Sequence, residues 1–308
     1  MQPFVKTIHP RGVLSFAPDS EPLALSPLNI LIGPNGSGES NLIEIFELLK
    51  ALPTDLAEVI RDGGGIGEWL WKGEDKSAAR LAVGTTVSAE LQVPGVEPLL
   101  RYILELGAAG PGLEVVDEAI EKADGSRTDA GNAYFYYRNE RPMLRYHNGA
   151  IRVTDLINAD FFSQSEISLS PPGYDRRRSV LSQRKDPDLY PEVTAVGSSF
   201  GAILTYREWS FGRYVPLRQP QPTDLPSDAV LPDARNLGLI LNAIEHSDTW
   251  PRLNAALSRF LPRFKRITTL IQGGTVKMSY MKTGSALPYQ RRDCPTERFG
   301  LSRYWRSC

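Results

Sequence analysis

The stretch Leu28 to Asn41, LNILIGPNGSGESN, constrains this chain more than any other, because it nearly completes a phosphate-binding loop. The pattern G-x-x-x-x-G-K-[ST] is met by Gly33, Gly38 and Ser40, with an added glycine at Gly36, but position 39 holds Glu39 in place of lysine. Such a loop works because small residues let consecutive backbone N–H groups curl around an anion at the positive end of the following helix. Lysine then supplies further charge and the serine holds Mg²⁺. Glu39 replaces a cation by an anion beside the expected phosphates, a change of about two charges. Residues Gly33, Pro34, Asn35, Gly36, Ser37, Gly38, Glu39, Ser40 and Asn41 are therefore the candidate nucleotide-binding set, with Ser40 the candidate Mg²⁺ ligand.

The flanks fit the motif. Leu28, Ile30, Leu31 and Ile32 have the length and composition of a buried strand, and Leu42, Ile43, Ile45, Phe46, Leu48 and Leu49 recur at helical spacing until Pro53 intervenes. Strand, glycine-rich loop and helix thus stand in the required order.

Together with LSF at Leu14 to Phe16, NLIE after the loop, GGGIGEWLWKG at Gly63 to Gly73, LSQRKDP at Leu181 to Pro187, YREWSFGRY at Tyr206 to Tyr214 and NLGLILN at Asn236 to Asn242, the chain resembles bacterial AAA-family ATPases. The heads of that group are of the RecF/SMC kind, related to ABC-type nucleotide-binding domains. The resemblance reaches to about Ser285. It implies an α/β P-loop NTPase fold with an antiparallel β lobe, here C-terminally incomplete. It also implies ATP and Mg²⁺ as cofactors, ATP hydrolysis between two heads closing as a homodimer, and work in DNA repair, chromosome maintenance or defence. Such a head would be completed by a signature motif of the type LSDGT and a Walker B strand ending in acids. Neither follows in this sequence, so activity of this chain is expected to be weak or absent. The alternative is a catalytically dead pseudo-ATPase or gene fragment acting as an interaction module. A P-loop kinase or GTPase is disfavoured, since no N-K-x-D motif is present.

Length and composition suit a protein with an ample core: 308 residues, 41% of them hydrophobic. Lys+Arg 35 against Asp+Glu 36 gives a net charge of -1, so DNA contact would have to be local. Two cysteines exclude a disulfide scaffold, and no run suggests a signal peptide or membrane span. The expected location is the cytoplasm. The domain reading is one head over 1–287, with a P-loop subdomain at 1–75, an antiparallel β lobe at 80–160 and a loop and helical region at 161–287, followed by an aberrant tail at 288–308.

Lesser candidates need weighing. Asp117 and Glu118 in LEVVDEA resemble a Walker B end superficially, but read better as solvated acids at a strand-to-turn transition. Gln183 is the weak catalytic candidate, as a Q-loop glutamine. Arg176, Arg177, Arg178, Arg184 and Lys185, and the arginines Arg207, Arg213 and Arg218 interleaved with Tyr206, Trp209, Phe211 and Tyr214, could neutralise phosphates and stack on bases. A half-buried strand with solvated neighbours is the favoured reading of each. Arg61 alone is too little to mark a DNA contact, and His9, His147 and His246 are too scattered for a metal site.

The tail PYQRRDCPTERFGLSRYWRSC lacks apolar periodicity. Back-translated and shifted by one frame, its codons permit [V/I]PATRLSDGTLRFVALLAIL, which resembles the missing signature region. Two of those leucines are forced, because the Asp293–Cys294 and Tyr304–Trp305 junctions both give YTG. A frameshift near Ser285 to Leu287 is expected on this reading. Sequencing the gene checks it: in the shifted frame, the bases beyond Cys308 should continue into an apolar strand ending in acidic residues.

Overall fold

The computed structural model describes residues 4–73, 85–109, 112–125, 132–138, 140–145, 159–163, 166–169, 173–207, 214–216, 219–284 and 289–290. The chain is mixed α/β and divides into two compact units, Met1–Ile203 and Leu204–Cys308. That boundary falls inside the stretch 161–287 that the sequence reading grouped as one region.

The first unit is built on a nine-stranded sheet in the order β2-β1-β3-β4-β5-β6-β7-β9-β8, every pair antiparallel. Its strands are β1 (Val5–Arg11), β2 (Leu23–Ala24), β3 (Thr85–Leu91), β4 (Leu100–Ala109), β5 (Gly112–Lys122), β6 (Ala133–Arg138), β7 (Arg141–Arg145), β8 (Ala159–Ser163) and β9 (Glu166–Leu169). Strict alternation makes one face apolar. Val87, Ala89 and Leu91 of β3 and Leu100, Tyr102, Leu104 and Leu106 of β4 are buried, while the residues between them, such as Ser88 and Arg101, are not. The sequence reading places an antiparallel lobe at 80–160; the sheet extends beyond that range, with β1 and β2 added at one edge.

The helices α1 (Glu39–Ala51), α2 (Leu56–Asp62), α3 (Ile66–Trp69), α4 (Val180–Gln183) and α5 (Pro191–Gly201) belong to the same unit. The i, i+3, i+4 spacing of Leu42, Ile45, Leu48 and Leu49 turns one stripe of α1 into the core, leaving Ile43 on the outer side. Asp55 caps α2 by accepting the Ala57 N–H at 3.0 Å. Helix α1 packs on α2 and α5, and α5 also packs on α4.

The second unit carries β10 (Gln221–Pro222), α6 (Leu237–Ile244), α7 (Thr249–Phe260), β11 (Phe264–Gln272), β12 (Thr275–Lys282) and β13 (Tyr289–Gln290), with both β10 and β13 pairing β12. Helix α6 lies against β11 and β12, so Leu241 is buried, as are Val276 and Met278. The buried Asn236 ties the proline-rich connector to this helix. Its Nδ2 donates to Pro226 and Ala229 carbonyls, both at 2.7 Å, and its Oδ1 accepts the Leu231 N–H at 2.8 Å.

One expectation fails. Leu28 to Ile32 is not a strand, and Leu28, Ile30 and Ile32 are 79%, 76% and 90% exposed. A strand apolar on both faces requires strands beside it and layers above and below. No described strand pairs with this segment, so its local propensity has nothing to act on. The contrast with α1 is testable by thermal and denaturant unfolding. Ile45→Ala, at a fully buried site, should cost about 3 kcal/mol, whereas Ile30→Ala should change stability by less than ~0.5 kcal/mol.

Candidate functional site

The loop itself takes the shape its glycines allow. Ser37 N–H donates to the Pro34 carbonyl at 3.1 Å, closing a turn. Gly36 and Gly38 lie at φ 88° and 101°, in the left-handed region that disfavours side chains. Gly38 is the N-cap of α1, and its carbonyl accepts the Leu42 N–H at 3.0 Å. A Cβ at Gly38 would also stand 2.7 Å from Ser15 Oγ, so the LSF segment borders the loop. Ser40 and Asn41 occupy the first turn of α1, with Ser40 exposed. Orphan N–H groups at the start of a helix of this length suit an anion.

Glu39 does not. Its Oε1 lies over Gly33, 2.5 Å from where a Cβ on that residue would be, and the Ser37 hydroxyl crowds the same spot. The Ser37 hydroxyl, and after it the backbone N–H of Glu39 itself, hold this carboxyl below its usual range. It is therefore ionised at neutral pH. The glycines give the loop its turn at the start of α1 and Ser40 is exposed there, but the ionised side chain at 39 opposes an anion beside it, and no hydrolytic step follows from these residues. Among the described residues, no group of three or more His, Cys, Asp or Glu is placed to hold a metal ion.

Gln183, the basic residues near it, Asp117 and Glu118 lie elsewhere in the first unit, whereas Tyr206, Arg207 and Tyr214 belong to the second. Gln183, at the end of α4, spends its amide on the chain around it. Oε1 accepts the Asp175 N–H at 2.8 Å, and Nε2 donates to the carbonyls of Asp175 at 3.0 Å and Arg178 at 2.9 Å. It acts as a clasp for the segment 174–184. Three of the basic residues of that segment are likewise engaged. Arg176 lies 3.5 Å from Glu114 and 5.5 Å from the centre of the Tyr137 ring, Arg177 is 3.2 Å from Asp175, and Arg184 donates to the Gly173 carbonyl at 2.8 Å. Trp209, Phe211, Arg213 and Arg218 lie outside the described residues, as does the tail apart from 289–290.

Asp117 and Glu118 are not at a strand end. Both sit within β5, and Glu118 is fully buried. The cause is a β-bulge: Glu105 pairs with Asp117 but Leu106 with Val115, leaving Val116 unpaired and 40% exposed. The extra residue switches which side chains face inward, so Val115 and Glu118 are both buried despite their spacing of three. Glu118 Oε1 accepts from the Tyr102 hydroxyl at 2.7 Å and the Ser179 hydroxyl at 2.6 Å, and Oε2 accepts the Val180 N–H at 2.8 Å. Ser179 in turn caps α4 by accepting the Leu181 N–H at 3.1 Å. Burial pushes the Glu118 carboxyl up to about 7 against the lowering effect of these three donors. No sequence signal singled out Glu118, since β5 also carries Glu114, Asp117, Glu121 and Lys122.

No helix among the described residues is long and apolar enough to cross a membrane. The loop geometry is checked by glycine replacement, read by unfolding temperature. Gly38→Ala should cost about 1–2 kcal/mol, from the positive φ and the Ser15 contact. Gly67→Ala, within α3 and facing open space, should be neutral or slightly stabilising. Compared with known proteins, the chain matches no family model, no curated protein and no solved structure.

Proposed function

We propose that this chain is the nucleotide-binding portion of an ATPase head of the RecF/SMC-like AAA class, impaired in this sequence by Glu39. The observation that carries the reading is the run from Gly33 into α1. A glycine-rich turn with Gly36 and Gly38 at positive φ delivers the chain to a helix whose first residues are Glu39, Ser40 and Asn41. ATP with Mg²⁺ is the ligand on this reading, a second head the partner, and the cytoplasm the location. DNA is proposed as a more distant partner on the strength of the sequence resemblance alone, since Arg176, Arg177 and Arg184 already have contacts within the chain.

Glu39 also favours the pseudo-ATPase reading, because its ionised carboxylate stands where the motif requires a cation. Isothermal titration separates the two. The chain as it stands should bind Mg·ATP weakly, and Glu39→Lys should tighten binding roughly ten- to a hundredfold, the worth of a charge-assisted hydrogen bond. Phosphate release should stay near background in both proteins, because the Walker B acids are absent from the sequence. Micromolar ATP affinity or robust turnover without the substitution would show that Glu39 is not an impediment. No binding by either protein would defeat the nucleotide reading itself.

A further inference from the structure

A carboxylate sealed between a sheet and a loop is the feature that the nucleotide reading leaves unused. Glu118 is fully buried and stands where three chain segments meet. Tyr102 reaches it from β4, its own backbone belongs to β5, and Ser179 and Val180 reach it from the cap of α4. The segment carrying that cap is joined to the sheet by one further backbone bond, Val115 N–H to the Arg176 carbonyl at 2.8 Å, and is clasped internally by Gln183.

We propose that Glu118 is a proton-operated latch, which holds the segment 174–184 against the sheet while neutral and loosens it on ionisation. The chemistry of the partners permits both states. Hydroxyls donate and accept, so a protonated Oε1 can donate to Ser179 Oγ or Tyr102 Oη while Oε2 keeps the Val180 N–H. Ionised, the same carboxyl keeps its three donors but carries a charge with no cation in contact among the described residues, in a fully buried position. Among the described residues, the titratable groups that act on it are Tyr102 from β4, Asp117 from β5, Tyr137 from β6, and Tyr174 from the segment itself. Asp117 adds repulsion to the ionised form. Burial raises Tyr102 and Tyr174 above the usual phenol range and Tyr137 to about 12, so all three stay neutral across the range that matters. Arg176 is occupied by Glu114 and the Tyr137 ring.

The sign follows from linkage. The closed segment binds the Glu118 proton more tightly than the open one, in which the carboxyl meets water and returns to its ordinary range. Closure is therefore strongest below about pH 4.5 and weakens as pH rises to about 7, beyond which it is level. Helix α4 packs on α5 and α5 on α1, so release would loosen the support of the helix that carries the glycine-rich loop. The latch itself does not depend on what that loop binds.

Hydrogen exchange of the Val180 and Leu181 amides, corrected for the intrinsic pH dependence of exchange, tests the latch in the full chain. Their protection should fall on the order of fiftyfold between pH 5 and pH 8. Glu118→Gln keeps the shape and the polar atoms, and should make protection level across that range. Tyr102→Phe removes one donor to the ionised form, and should move the midpoint of the fall to higher pH. Protection that is level in the unmodified chain, an unaltered fall in Glu118→Gln, or a midpoint unmoved by Tyr102→Phe would each overturn the proposal.

Discussion

Phe200 of α5 is the point at which the helical layer and the sheet of the first unit are joined. Its ring is fully buried, 5.8 Å from Phe4 and 5.1 Å from Tyr102, edge-on to both. These contacts give aromatic pairs their favoured geometry and remove a large apolar area from water at once. Everything else in the unit arranges itself around that seam. Helix α5 carries Val193 and Val196 into the same core, α1 adds Ile45, Leu48 and Leu49, and β3 and β4 present alternate side chains to both helices. Tyr102 serves twice, since its ring meets Phe200 while its hydroxyl reaches Glu118. The apolar core and the buried polar cluster therefore share one residue, and strain in either is felt by the other.

Much of this was legible in the sequence because the signals were local. The spacing of Leu42, Ile45, Leu48 and Leu49, stopped by Pro53, marks α1 and its end, though its start at Glu39 lies earlier, and the alternation in β3 and β4 marks antiparallel strands. What was not legible depends on partners distant along the chain. Leu28 to Ile32 has strand composition, but becomes a strand only beside another. The surroundings of Glu118 depend on a bulge in β5 and on Ser179, far away in sequence. No spacing rule reveals either.

The candidate site divides along the same line. That glycines at 36 and 38 adopt positive φ and that Ser40 opens the helix are local properties of the motif. Gln183 reads from sequence as a weak Q-loop candidate, yet its amide is consumed by three hydrogen bonds to Asp175 and Arg178 within its own segment. A polar side chain in a compact turn more readily satisfies the backbone around it than it waits for a ligand.

The bulge at Val116 has a consequence for how β5 tolerates change. On either side of it the strand obeys opposite parity: Val115 points inward before the extra residue, and Glu118 and Ile120 point inward after it. The strand is thus two half-strands in different phase, joined by a single spare residue. Removing that residue would close the bulge: Val115 and Glu118 would stand two apart, each keeping its partner on β4 and its inward face, and the strand would lose its local bend. Substitutions at 116 are cheap as well, because its side chain faces water. In β5 it is the pairing with β4, and not the spacing along the strand, that decides which residues face the core.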